Sequence, residues 1–255
     1  MSRARRAAWL VLLLAVGLTA ALWVLPARWA MAWIPASSPV IITDATGTLW
    51  HAKATMAVGV DGLRRSLPDP VAWRLAFDGG PQLVVTHPWL RGSLKLRPSW
   101  RGLRMSAQSL HMPASVLTTL HGIFNTLDPE GEVLLSWPEL TLGSRSISSN
   151  GSKGLLSAQW RNAASSLTRI RPMGEYTLLV TEGGDDKLAL ALATKQGPWM
   201  MEGTGTLTLS GRLQFDGNTW VDESAGADTR DALQGVLDAM APRSGPDGHT
   251  LLKLR

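Results

Sequence analysis

The stretch that decides the fold is Lys187-Leu-Ala-Leu-Ala-Leu-Ala-Thr194, in which Leu188, Leu190 and Leu192 alternate with smaller or polar residues. A period of two places the three leucines on one face of a strand and their neighbours on the other. This alternation is typical of an antiparallel sheet with one buried face. The segment therefore predicts a strand in a mainly β protein.

Similar strand signals recur on both sides of this segment, with glycine or proline between them. Residues 83–86 follow the turn residues 79–81, and Leu207 and Leu209 alternate with polar residues. Residues 182–186 form a predicted hairpin turn between strands 176–181 and 187–194. The pattern predicts one or more curved antiparallel sheets, arranged as an open barrel or a sandwich-like fold.

Two segments favour short helices instead. Residues 113–123 place apolar side chains on one helical face. Residues 228–240 are a stronger case, because Asp228 can cap the start and a stripe follows, formed by Leu233, Val236, Leu237 and Met240. A last short strand is predicted at residues 250–254.

The N-terminal region predicts a single transmembrane helix over residues 7–25. This run is apolar and uncharged over 19 residues, and Arg3, Arg5 and Arg6 precede it. As a helix it would span about 28 Å, close to the hydrocarbon thickness of a bilayer. The arginines favour a cytoplasmic N-terminus over residues 1–6.

Two other interpretations of this run are a cleaved signal peptide and a buried core helix. Signal peptides have shorter apolar cores and a small-residue cleavage site, which Ala30-Met31-Ala32 offers only weakly beside Arg28. A core helix would show a polar face. An uncleaved signal-anchor is favoured, followed by a spacer at 26–39 and a periplasmic β-rich domain at 40–255, with a possible subdomain boundary near 143–154.

The charge distribution argues against nucleic acid as a partner. The formal net charge is +5, but the first 35 residues hold four arginines and no acid, so the remainder is nearly neutral. Residues 45–125 still carry nine basic and three acidic residues. This excess of basic residues could serve to attract anionic lipid headgroups or an acidic partner. The alternative is an ordinary uneven distribution of charge along a solvated surface.

Cysteine is absent, which excludes disulfides, thiol catalysis and Cys-ligated metal sites. The histidines do not have the spacing of a metal motif, and they lie at His51, His87, His111, His121 and His249. The sequence therefore predicts no metal site.

Candidate acid–base pairs and nucleophiles are weak. Glu130 and Glu132 follow a turn signal, and Asp185 and Asp186 lie in a predicted hairpin turn. Serine and nucleotide motifs are incomplete or lie in the serine-rich loop, namely Gly151-Ser152-Lys153-Gly154 and Gly203-Thr204-Gly205. We predict no catalytic residue, no cofactor site and no small-molecule substrate.

Three short stretches and a closing segment occur in a recognisable order. They are Gly47-Thr48-Leu49-Trp50, Met173-Gly174-Glu175-Tyr176-Thr177-Leu178, Gly197-Pro198-Trp199-Met200-Met201-Glu202-Gly203-Thr204-Gly205 and Asp231-Ala232-Leu233-Gln234. In order and in chain length they resemble the protein N family of the bacterial type II secretion system.

The resemblance implies a non-catalytic inner-membrane protein that takes part in the export of folded proteins from the periplasm. Its expected partners are the outer-membrane secretin and the inner-membrane platform proteins. Glycine permits bends and tryptophan fills a core, so Gly47 and Trp50 are interpreted as structural.

Two other functions remain open from the residues. The first is an anchored periplasmic lipid-binding or lipid-transfer β module, which would need a continuous apolar groove. The second is a hydrolase of peptidoglycan that uses Glu130 and Glu132. The serine- and glycine-rich residues 143–154 are either a long loop or the subdomain boundary.

Overall fold

The computed structural model describes residues 3–35, 38, 40–59, 64–119, 127–143, 146–150, 154–184, 186–240 and 249–254. The chain divides into two compact units, residues 1–87 and 88–255. The described residues are mainly β, with antiparallel strand pairing and two α-helices. The predicted class, a mainly β fold with antiparallel sheets and one or two short helices, is confirmed to this extent.

The first unit holds a long helix, a 3₁₀ helix and five strands. Its strand order is β1-β2-β4-β5, and β3 also pairs with β2. The bounds are α1 Arg3–Trp23, the 3₁₀ helix Ala27–Trp33, β1 Val40–Thr48, β2 His51–Val58, β3 Arg65–Ser66, β4 Val71–Ala76 and β5 Gln82–Thr86.

Helix α1 differs from the predicted N-terminal span. It begins at Arg3, so the three arginines lie within the helix, and it ends at Trp23, before the proline at 26 restricts the preceding residue. Of the helices in the described part of the chain, none combines the length and the apolar character that a bilayer crossing requires. The predicted transmembrane helix over 7–25 is thus not supported.

The second unit holds the remaining strands and helix α2. Strands β6, β7, β10 and β11 pair in that order, and a separate eight-stranded sheet runs β17-β16-β15-β14-β13-β12-β9-β8. The bounds are β6 Leu94–Ser99, β7 Gly102–Met105, β8 Gln108–Pro113, a 3₁₀ helix Ala114–Thr119, β9 Pro129–Trp137, β10 Leu140–Leu142, β11 Ile147–Ser149, β12 Gly154–Ser165, β13 Gly174–Glu182, β14 Lys187–Gln196, β15 Trp199–Thr208, β16 Leu213–Val221, α2 Ala227–Met240 and β17 Thr250–Leu254.

The alternating leucines form the centre of the eight-stranded sheet, as predicted. In β14, Leu190 is buried while Ala191 and Ala193 are exposed. The predicted hairpin joins β13 to β14, and its turn is closed by the Gly183 amide, which donates to the Lys187 carbonyl oxygen at 3.0 Å. The period of two therefore identified both the strand and its buried face.

Helix α2 confirms the predicted apolar stripe at Leu233, Val236 and Leu237 and corrects its cap, while the side chain of Met240 lies outside the described part. Leu233 and Leu237 are fully buried, and Val236 packs against them. The helix begins at Ala227, so Asp228 lies in the first turn and does not cap it. There its negative charge interacts favourably with the positive end of the helix dipole.

Two local predictions differ from the structure. Of the helix predicted over 113–123, the described residues Ala114–Thr119 form a 3₁₀ helix, and residues 120–126 lie outside the described residues. Residues 143–154, predicted as either a long loop or a subdomain boundary, contain β11, which pairs with β10. Of the predicted spacer, residues 27–33 form a 3₁₀ helix, while 36, 37 and 39 are outside the described residues.

Candidate functional site

The first sequence motif forms the turn between β1 and β2. Gly47 has a φ of +93°, and a Cβ atom at this position would collide with the carbonyl oxygen of His51. Only glycine accepts both the positive φ and the close backbone approach. The backbone therefore requires glycine at the first position of the motif Gly47-Thr48-Leu49-Trp50. The next three residues make the contacts described below.

These three residues hold the chain that leaves α1. The Leu49 amide donates to the carbonyl oxygen of Leu25 at 2.8 Å, and Trp50 Nε1 donates to that of Leu22 at 2.7 Å. Thr48 forms an isolated β-bridge with Pro26. The Leu22 carbonyl lies in the last turn of α1, where carbonyls lose their partners within the helix, and the Trp50 indole binds it there. Leu25 and Pro26 follow the end of the helix.

A small apolar core lies beside this junction. Its buried members are alanines, which leave room for the 3₁₀ helix to approach β1 and β2, and they are Ala27, Ala45, Ala52 and Ala54. Trp73 of β4 packs against this cluster, and its Nε1 donates to the carbonyl oxygen of Leu49 at 2.9 Å. The turn is therefore held from both the helix side and the sheet side.

An apolar cavity of about 460 Å³ opens at the same junction, with six lining residues: Thr19, Leu22, Trp23, Trp50, Leu75 and Phe77. Its two polar side chains are already satisfied, because Thr19 donates to the Ala15 carbonyl and Trp50 to that of Leu22. A lining without open hydrogen-bonding groups favours an apolar occupant over water. Sequence analysis did not predict this cavity, although Trp73 and Leu75 lie on one face of β4.

The second and third motifs meet in the second unit. A Cβ atom on Gly197 would collide with the Cα atom of Gly174 and lie 2.7 Å from the Met173 carbonyl oxygen. The start of β13 and the turn before β15 can approach this closely only because both positions are glycine. The Trp199 amide then donates to the Met173 carbonyl oxygen at 3.1 Å.

Buried polar atoms in this region are paired with one another. The Tyr176 hydroxyl donates to the Trp199 carbonyl oxygen at 3.0 Å, and Trp199 Nε1 donates to Thr219 Oγ1 at 2.6 Å. Burial raises the pKa of the Tyr176 phenol above its ordinary value, because the apolar surroundings disfavour the charged form. These contacts give the second and third motifs a packing role.

The closing motif lies in α2 and completes the same core. Leu233 and Leu237 pack with Met173 and Trp199 as one buried cluster. The three stretches that are distant in sequence are therefore brought together in space. Their shared property is burial and close backbone contact.

The weak acid–base candidates lie on β9 and contact basic side chains. Glu130 forms an ion pair with Arg171, and Glu132 Oε2 lies 3.2 Å from His111 Nε2. All four side chains are about half exposed. The pair is thus placed on a solvated surface.

The other candidates are dispersed. His51 and His87 lie in the first unit, and His249 stacks on Trp220 with ring centroids 4.5 Å apart. In the parts of the chain that are described, three or more metal-ligating side chains do not come together. Outside the described residues are His121, Ser152, Lys153 and Asp185.

The sequence motifs of this chain build packing contacts in both units. The sequence model of the family "Type II secretion system (T2SS), protein N" matches residues 38–252, so the chain belongs to this family. That family is a non-catalytic component of the secretion system. Neither the curated proteins nor the solved structures include a match to this chain.

Because the backbones of Gly174 and Gly197 are in contact, adding a methyl group at position 197 should destabilise the folded state. We expect Gly197→Ala to lower the free energy of unfolding by about 2–6 kcal/mol, from backbone strain plus overpacking. Gly211→Ala is the matched control, because Gly211 also has a positive φ but faces open space. Chemical denaturation of both variants measures the difference, and equal losses would contradict the close contact.

Burial of Tyr176 predicts an alkaline transition. The folded state favours the neutral phenol, so this contribution to stability is fully present below about pH 10 and is lost as the pH rises from there toward the raised folded pKa. Tyr176 is the only tyrosine, so the absorbance of tyrosinate reports on this residue alone. We expect tyrosinate to form only on unfolding, and Tyr176→Phe to reduce the alkaline loss of stability. Ionisation near pH 10 in the folded protein would show that the phenol is accessible.

Proposed function

We propose that the protein is a non-catalytic component of the type II secretion system that takes part in export of folded proteins from the periplasm across the outer membrane. It acts through contacts of its β-rich domain with other components of the system. The observation that carries this proposal is the family match over residues 38–252, which includes every motif that builds the two cores.

The proposed location is the inner membrane, with residues 1–6 in the cytoplasm and residues 40–255 in the periplasm. The family's membrane-associated location supports the first part. The arginine-flanked apolar run of the sequence supports the orientation. In addition, the large apolar side chains of α1 are more than half exposed, among them Trp9, Leu13 and Leu18.

The proposed partners are the secretin and the inner-membrane platform proteins. The family implies contacts with other components of the same system, which supports this proposal.

Deletion of the gene tests this function. We expect exported proteins to accumulate in the periplasm, and the wild-type chain to restore their secretion. In mild detergent the chain should co-purify with secretin or platform proteins. Alkaline phosphatase fused to the C-terminus should be active, since that end is placed in the periplasm.

The glycine variants serve as controls for this test. Gly197→Ala should restore secretion poorly because it disrupts the packing of the second unit, whereas Gly211→Ala should restore it well. Full secretion without the gene, together with no co-purification, would overturn the proposal. An inactive phosphatase fusion beside a fluorescent cytoplasmic one would overturn the orientation alone.

Lipid binding is a second candidate function, and the apolar cavity beside α1 favours it. The cavity has the volume of a small-molecule site, and its lining has satisfied polar groups. It adjoins the exposed apolar side chains of α1, including Trp23. An acyl chain matches this lining in polarity.

Filling the cavity tests the lipid candidate. We expect native mass spectra of the full chain to retain a phospholipid, and Leu75→Trp to lose it because the larger side chain occupies the space. Leu213→Trp, on a partly exposed strand position of the second unit, is the control and should retain the lipid. A spectrum of the wild-type chain without lipid would remove this candidate.

A further inference from the structure

The eight-stranded sheet of the second unit has an open edge at β17. Strand β17 pairs with β16 on one side, and no other strand of the described chain pairs with its second side. The pairing with β16 continues through five residue pairs without a shift in register. An edge strand of this kind presents a regular row of backbone N–H and C=O groups to which another strand can add.

The opposite edge of the same sheet is covered. At β8, the His111 amide donates to the Trp89 carbonyl oxygen at 2.8 Å, and the Arg91 amide donates to that of Ser109 at 3.0 Å. Proteins protect edge strands with such a covering segment, with a bulge or with proline. Strand β17 has neither a bulge nor a proline within its described residues, so it is the edge that can accept a further strand.

The side chains of β17 give its two faces different characters. Leu252 lies on the same face of the sheet as Leu190 and Phe215, both of which are buried. Leu251 and Lys253 lie on the other face, and Lys253 is exposed. A strand that adds to this edge must therefore match an apolar face and a mixed face at the same time.

A second copy of β17 meets this requirement. In an antiparallel pairing centred on Leu252, that residue lies opposite Leu252 of the second copy, and Leu251 lies opposite Lys253. Directly opposite residues share a face, so the apolar faces of the two sheets join. Each Lys253 meets a leucine and not a second lysine, so like charges do not lie directly opposite each other.

Other registers of the same pairing are less favourable. Centring it on Lys253 would place two ammonium groups directly opposite each other. Centring it on Leu251 would leave two residues of each β17 outside the pairing, whereas Leu252 is the middle residue of Thr250–Leu254 and allows all five to pair. A shift by one residue would put the apolar face of one sheet beside the mixed face of the other.

We propose that two copies of the protein associate through β17 about a two-fold axis at Leu252, so that the two eight-stranded sheets become one continuous sheet. Such an isologous contact uses the same surface on both copies and closes as a dimer, so it does not propagate into a fibre. The contact goes beyond those proposed above with other secretion components. It depends on β17 alone, so it stands or fails separately from them.

Cysteine trapping tests this register, since the native chain contains no cysteine. A five-residue edge is small for a protein interface, so we expect a weak, reversible dimer that a covalent trap measures better than gel filtration does. The full chain carrying Leu252→Cys is oxidised with copper phenanthroline in mild detergent. We expect a disulfide-linked dimer, because directly opposite residues have Cα atoms about 4.5–5.5 Å apart, within the range of a disulfide.

The neighbouring positions provide matched controls. Leu251→Cys alone and Lys253→Cys alone should form little dimer, because each thiol lies diagonally from the same position in the second copy, at about 7–8 Å, beyond the reach of a disulfide. An equal mixture of the two variants should form the mixed dimer, since positions 251 and 253 lie opposite each other. Ser210→Cys, at the exposed hairpin tip between β15 and β16, reports random collision and should form little dimer.

Opposite charges at position 251 then test the pairing with Lys253 in the Leu252→Cys background. Leu251→Lys should lower the yield of trapped dimer about fivefold, because the two-fold axis places two pairs of ammonium groups opposite each other. Leu251→Glu should raise the yield, because each new carboxylate lies opposite Lys253 of the second copy. A merely local effect of a charge at the edge would change both yields in the same direction.

Equal trapping of Leu252→Cys and Ser210→Cys would overturn the proposal. So would a disulfide that forms between two thiols at 251, or between two at 253, in place of the one at 252. Equal yields from Leu251→Lys and Leu251→Glu would contradict the pairing with Lys253 and overturn it as well. A thiol at 252 that is trapped by another secretion component, and not by a second copy, would assign β17 to a different partner and would also overturn it.

Discussion

The close approach of two backbone segments at Gly174 and Gly197 is the constraint on which the second unit depends. With no side chain between them, the end of one turn lies directly on the start of β13, and this fixes where Met173 and Trp199 point. Leu233 and Leu237 of α2 pack with these two side chains in one buried cluster. A glycine pair thus determines the position of a helix that begins about thirty residues later.

The stretches that mark the family are the same stretches that make these contacts. In the first unit, Gly47 sets the turn from which Leu49 and Trp50 reach the end of α1. In the second, the aromatic and glycine residues of two motifs share one core. The residues that carry the resemblance to the family are therefore residues that shape the fold.

Much of the secondary structure could be predicted from the sequence because burial leaves a simple periodicity. Leu188, Leu190 and Leu192 indicated β14 by their period of two, and Leu233 and Leu237 indicated α2 by their spacing of four. Strand β11 was missed because three residues inside a serine-rich segment carry almost no periodic signal. The described part of the helix predicted at 113–123 is a 3₁₀ helix, because local apolar spacing does not distinguish the two helix types.

The candidate sites depend on contacts that local sequence cannot indicate. Trp50 and Leu22 are 28 positions apart, and the Tyr176–Trp199 and Glu130–Arg171 pairs are similarly distant. The exposure of Trp100 is also a tertiary property, which its neighbours in the sequence do not indicate. Pattern analysis named the residues that matter, and the structure supplied their partners.

The junction at the end of α1 has a mechanical consequence. The carbonyl oxygen of Leu22, in the last turn of α1, accepts from the Trp50 indole, and that of Leu25, two residues beyond the helix, accepts from the Leu49 amide. Rotation of α1 about its own axis would break both bonds at once, so α1 and the β1–β2 hairpin move together. A force applied to one of them is therefore transmitted to the other.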